Sequence, residues 1–155
     1  MATNLEEIAL HLDNHKIRFR KYVEKSTLVF EMSNKNYKVR HILYVGDEGN
    51  TLVHKVYLLD EEGKFLKVPY NHEYIKKFMK FLLYSSSKIK LGSWEYDFNN
   101  GVFCFASVLP LNDSVLSEKQ FKLLFSAQMF ASKKEFVYIK TILETGKFPK
   151  ITKQN

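Results

Sequence analysis

LGSWEYDFNNGVFCFASVLPLNDSVLSEKQF, residues 91–121, reads as a strand, a turn, a second strand and the start of a helix. Trp94, Tyr96 and Phe98 alternate with Ser93, Glu95 and Asp97, the period of a half-buried strand. Asn99-Asn100-Gly101 supplies residue types that accept positive φ and so reverse the chain tightly. Val102–Leu109 returns as a nearly unbroken apolar strand, and Pro110, which cannot donate to a ladder, ends it. Ser117 with Gln120 three positions on has the capping-box form that starts a helix. Glu95 and Asp97 are then the wet side of the first strand rather than a catalytic carboxylate pair.

Downstream, Phe121, Leu124, Phe125 and Met129 continue a helical apolar stripe. Ser132 with Glu135 repeats the capping-box form and predicts a separate last helix. That helix carries Phe136, Ile139, Ile142 and Leu143, ends near Gly146 and is stopped by Pro149. Upstream, Tyr70-Asn71 before Ile75 suggests an N-cap at Asn71 with a hydrophobic staple. Ile75, Phe78, Met79 and Leu82 make the buried stripe of that helix. Lys76, Lys77 and Lys80 fall on its wet side, with Glu73 spaced to pair with Lys77.

Nearer the start, Thr3 and Glu6 form a capping-box signature for a helix over 4–14, followed by strands over 18–23, 27–32, 37–45 and 52–59. Turn residues separate these strands and no helix-length segment lies between them. They therefore pair as an antiparallel meander, because parallel pairing needs a long crossover. The expected fold class is α+β: an antiparallel sheet of five to six strands with helices packed on it, in the order α-β-β-β(-β)-α-β-β-α-α. Residues 1–146 make one domain and 147–155 a basic tail.

A chain of 155 residues with 45% hydrophobic content has the means to bury a core, which excludes a disordered protein. No apolar run reaches the roughly 20 residues that span a bilayer. The N-terminus lacks the basic-then-apolar pattern of a secretory signal, so a cytoplasmic protein is expected. The single cysteine, Cys104, rules out an intrachain disulfide and sits between Phe103 and Phe105 as a core thiol. The net charge of +7 fits a solvated basic surface, and also leaves room for an anionic partner.

Motifs for chemistry are missing. There is no phosphate-binding GxxxxGK[ST], no GxGxxG, no HExxH and no GxSxG. His11 and His15 have a chelating spacing but no further ligand nearby in sequence, so no metal is expected. His41 lies on an apolar strand face and reads as a buried neutral imidazole. No cofactor is expected, and the chain is read as a non-enzyme. One face does interleave cations and aromatics: Arg18, Arg20 and Tyr22, then Lys38, Arg40 and Tyr44, with Lys55 and Tyr57 beside them. Such a face can neutralise phosphates and stack bases, so Arg18, Arg20, Lys38, Arg40 and Tyr44 form the alternative, nucleic-acid candidate.

Residues 67–125 resemble the C-terminal half of the YbjN-type family, the putative sensory-transduction regulators. The resemblance rests on a helix followed by Gly92, Trp94, Tyr96 and Asp97 before a turn. A return strand ending Leu109-Pro110-Leu111 comes next, and Leu116-Ser117-Glu118-Lys119-Gln120 opens the last helical part. The resemblance implies the fold of type III secretion chaperones, non-enzymatic and commonly homodimeric proteins that hold an extended client segment. Those chaperones are typically acidic, a departure from this basic chain. It implies a chaperone-like, adaptor or regulatory protein-binding module with a protein client, and a homodimer. The contact residues expected from the aromatic hairpin and middle helix are Phe81, Tyr84, Trp94, Tyr96 and Phe98.

Overall fold

The structure is a computed structural model that describes residues 4–111 and 114–149. Six strands, β1 (Arg20–Tyr22), β2 (Thr27–Ser33), β3 (Lys38–Gly46), β4 (Thr51–Leu58), β5 (Ser93–Tyr96) and β6 (Phe103–Pro110), form one sheet. Their spatial order is β1-β2-β3-β4-β6-β5, and every neighbouring pair is antiparallel. Helix α1 (Leu5–Asn14) precedes the sheet, α2 (Ile75–Lys88) separates β4 from β5, and α3 (Glu118–Phe130) and α4 (Phe136–Thr145) follow β6. The α+β class and the element order are those the sequence predicts.

Alternation along the strands sorts the sheet into two faces. Leu28, Phe30, Val39, Leu43, Leu52, Val56, Leu58, Phe103 and Phe105 are buried on the inner face. The helices lay their apolar stripes on it: Ile8 and Leu12 from α1, Phe78, Phe81 and Leu82 from α2, Phe121 and Leu124 from α3, and Phe136, Ile139 and Ile142 from α4. Fully burying each such side chain contributes about 1.5–3 kcal/mol, so these stripes outweigh any capping or turn contribution.

The apolar residues divide into two clusters, one around α1 and α3, the other around α2 and α4. A buried polar belt runs between them. Each element that crosses from one cluster to the other contributes: His41 in β3, His54 in β4, Ser107 in β6, and Gln128 and Ser132 along the last helices. Gln128 Nε2 donates to the His54 carbonyl at 2.8 Å and to Ser107 Oγ at 2.9 Å, which ties the helix to two strands.

Several local expectations need correction. Thr3 lies outside the described residues, and the N-cap of α1 is Asn4, whose side chain accepts from the Glu7 amide. Asn71 does not cap α2. The Tyr74 amide bonds His72 Nδ1 and the Ile75 amide bonds the His72 carbonyl, so a turn occupies 69–74 and the helix opens at Ile75. Lys77 does not take Glu73; it reaches the Gly146 carbonyl at 2.5 Å and lies over the Tyr74 ring.

Ser132 and Glu135 are not a capping box either. The backbone continues from α3 through a π-helical turn, Ala131–Glu135, into α4 without a break. Both side chains are buried, with Ser132 Oγ donating to the Gln128 carbonyl. Buried position, not capping chemistry, explains their spacing.

In the hairpin, Asp97 organises the turn: its carboxylate accepts from the Asn99 amide, and its backbone brackets Gly101 and Val102. Gly101 alone takes the left-handed backbone there, at φ 73°. Gly92, at φ 108°, leads the chain into β5 hard against β6, where an added Cβ would lie 2.6 Å from Phe105 Cζ. Only glycine fits that approach.

Candidate functional site

The helices cover the inner face, and the outer face of the sheet carries a broad depression. The register sets its composition, since Arg20 stands beside Val29, Val29 beside Ile42, and Glu31 beside Arg40. A groove of about 660 Å³ runs across β1, β2 and β3, walled by Arg18, Arg20 and Lys25 and floored by Val29 and Ile42. Phe65 closes one end, stacked on Tyr57 with ring centroids 4.3 Å apart.

Charge in the groove is uneven. Glu31 holds Lys38 at 2.9 Å and Arg40 at 2.7 Å. Arg40 also donates to the Gly63 carbonyl and lies over Phe65. The hydrogen bond from Lys38 first, and then that from Arg40, pushes the Glu31 carboxyl below its ordinary value, so those two cations are already committed. Arg18, Arg20 and Lys25 make no ion pair among the described residues. The alternative set therefore splits: Arg18, Arg20 and Arg40 line the groove, Lys38 is neutralised, and Tyr44 lies beside it opposite Thr27.

Beyond Phe65 the outer face continues into a polar hollow formed by Lys55, Tyr57, Glu95 and Cys104. Lys55 donates to Glu95 at 2.6 Å. Burial drives the Cys104 thiol up to about 12 and the nearby Glu95 charge adds to it, so no thiolate nucleophile forms at neutral pH. Tyr57 is pushed up in the same way by burial.

The five residues expected for partner contact do not form one surface. Phe81 is buried, while Trp94 and Tyr96 face the helices and pack against the second core. Their apolar area is spent inside the fold. Tyr96 also donates its hydroxyl to the Val68 carbonyl. Phe98 is exposed and meets Tyr96 and Tyr70 at the hairpin tip, and Tyr84 is exposed on α2. Phe81 and Tyr84 do share a narrow cleft of about 150 Å³ between α2 and the π-helical turn, with Phe130 and Tyr138 opposite.

Histidines hold two other places. His11 Nδ1 lies 2.9 Å from one oxygen of Glu118 and its Nε2 lies 2.9 Å from the Leu116 carbonyl, while His15 Nε2 meets the other Glu118 oxygen at 2.9 Å. Both rings stack on Phe121. Their helical spacing thus grips a carboxylate at the start of α3, and no group of three metal-ligating side chains occurs among the described residues. His41 is buried as a neutral ring, paired with His54. The latter was legible only once β4 had a register, because that strand mixes polar and apolar residues on its two faces.

No family model matches the chain, and neither does any curated protein. The YbjN-type resemblance therefore has no matching family model behind it. Among solved structures, a chain of the HopA1-SchA chaperone-effector complex matches 82% of this chain and 84% of its own length, with a TM-score of 0.50 and 12% identity. At that identity the likeness is one of fold, in line with the α+β arrangement that the resemblance implies. No helix among the described residues is long and apolar enough to cross a membrane.

Proposed function

We propose that this chain is a non-enzymatic, chaperone-like module that holds an extended segment of a partner protein in the groove on the outer face of its sheet. The observation that carries this is the pairing of an apolar floor, Val29 and Ile42, with free cations at Arg18, Arg20 and Lys25, beside the edge strand β1. A partner strand can add its backbone to that edge while alternate side chains enter the groove. The free cations favour an acidic segment. The chaperone-effector complex that shares the fold supports a protein as the partner. A homodimer belongs to the same proposal, as does a regulatory or adaptor use of the captured segment.

The test is a tagged pull-down from native lysate with nuclease, run beside the Arg18→Glu/Arg20→Glu variant, with sedimentation of the purified chain. A near-stoichiometric protein that survives nuclease and is lost with the charge reversal supports the proposal. A strict monomer at micromolar concentration with no co-purifying protein overturns it. Arg18 and Arg20 beside Tyr22 also favour a second reading, single-stranded nucleic acid in the same groove. Binding that disappears with nuclease and falls steeply with salt would select that reading.

A further inference from the structure

The cleft between α2 and the π-helical turn holds a buried acid that has no counter-charge. Glu135 is only 9% exposed, and its carboxylate accepts from Ser85 Oγ at 2.5 Å. Ser85 in turn accepts from the indole Nε1 of Trp94 at 2.9 Å, and its one O–H donor is committed to Glu135. Among the described residues no lysine, arginine or histidine pairs with Glu135. A buried carboxylate is costly unless a cation or several donors answer it, and here one hydroxyl does. The helix is distorted at this point, because Glu135 closes the π-helical turn Ala131–Glu135; single π-turns inside α-helices occur frequently at functional sites.

The walls are aromatic. Tyr84 and Phe130 are about half exposed at the mouth, and Tyr138 lies deeper, edge-on to Phe81. Both mouth rings already hold a cation: Lys88 Nζ lies 5.5 Å from the Tyr84 centroid and Lys134 Nζ 5.7 Å from that of Phe130. Aromatic faces that hold an ammonium at the rim are equally suited to the stem and head of a cation passing between them. With about 150 Å³, the cleft is well below the roughly 300 Å³ at which small-molecule pockets begin, and suits one side chain.

We propose that this cleft takes a single basic side chain of a partner protein, an aliphatic stem between Tyr84 and Phe130 with its guanidinium or ammonium on Glu135. It rests on the protein-binding role proposed above but uses a surface apart from the outer groove. It is tested with small probes that need no client, so failure of client capture and failure of the cleft are separate results.

The probe is n-butylguanidine, read by the indole N–H resonance of Trp94, the one tryptophan of the chain, which is joined to Glu135 through Ser85. Saturable movement of that resonance is expected, at least tenfold weaker for neutral N-butylurea and for Glu135→Gln, whose amide still accepts from Ser85. Phe130→Ala, at an exposed wall, is expected to weaken binding about threefold and serves if Glu135→Gln fails to fold. Removing both rim cations, Lys88→Gln/Lys134→Gln, is expected to tighten it. No movement with n-butylguanidine, equal response to the urea, unchanged binding in Glu135→Gln, or stronger response to butyrate would each overturn the proposal.

Discussion

Nδ1 of His41 lies 3.0 Å from Nε2 of His54, so the two buried rings bond directly, one donating and the other accepting. Phe30 stacks on His41 at 4.5 Å and Phe125 lies against both rings. The far nitrogens, His41 Nε2 and His54 Nδ1, have no partner among the described residues. The arrangement suits neutral rings: a first added proton would sit on a buried far nitrogen with no acceptor, and a second would set two N–H groups facing each other.

Burial pushes His41 down to about 3 and His54 well below its ordinary value. The unfolded chain binds protons at both rings below about pH 6.5, whereas the folded chain does not. The stabilisation is therefore complete above pH 6.5 and is lost as pH falls from 6.5 toward 3, with a slope of about 1.4 kcal/mol per pH unit for each ring. Urea midpoints at pH 8, 6 and 5 check this. A midpoint that stays flat from pH 6.5 to 5, above the carboxylate range, would refute it.

Glu118 should titrate far below an ordinary carboxyl. His11 holds it down most strongly, then His15, to about 2. A depressed acid stabilises the fold above its unfolded value, near 4.5, and that contribution is lost as pH falls toward 2. Carbon NMR of the Glu118 carboxyl is expected to show a midpoint near 2, rising in His11→Gln. A midpoint near 4.5 in the unaltered chain would mean that α1 is not clasped to α3 in solution.

Cys104 should be silent toward thiol reagents. It is buried with a thiol held near 12, so the thiolate is scarce and screened. A disulfide-exchange reagent at pH 8 is expected to find no reactive thiol in the folded chain and one after guanidinium unfolding. Prompt native reaction would place the residue at the surface instead.

Gly92→Ala should be among the most damaging single-methyl additions. The Cβ would meet Phe105 Cζ and Ser107 Oγ at 2.6 Å and the Ala106 carbonyl at 2.8 Å, at a positive φ. Strain and overpacking together cost about 2–4 kcal/mol. Chemical unfolding measures this directly, and a loss below 1 kcal/mol would show that β5 yields easily.

How much of this was legible follows from what each signal depends on. Strict alternation in β2 and β3 and the Ser117/Gln120 cap are local, and they read correctly because neighbours in sequence settle them. Ser132/Glu135 carries the same local signature as Ser117/Gln120, yet one pair caps a helix and the other is buried inside one; only packing tells them apart. Trp94 and Tyr96 announce a strand but not which face meets the helices. The groove needs β1 to β3 in register, and the acid cleft needs Ser85 and Glu135, 50 positions apart in sequence, to meet. Alternation did put Arg18, Arg20 and Arg40 on one candidate face, but the apolar floor of the groove and the acid cleft depend on pairings that are not local and were not visible beforehand.

The placement of β6 between β4 and β5 has a consequence for biosynthesis. When β4 leaves the ribosome its neighbour β6 does not yet exist, because α2 and β5 are translated in between. Until β6 arrives, the edge of β4 is unpaired and the inner face lacks α3 and α4, two of the helices that cover it. Long-range pairing of this kind is slow and exposes sticky surface. The nascent chain is thus most vulnerable to misassociation late in translation, and a truncation before residue 103 would leave a sheet with its centre open.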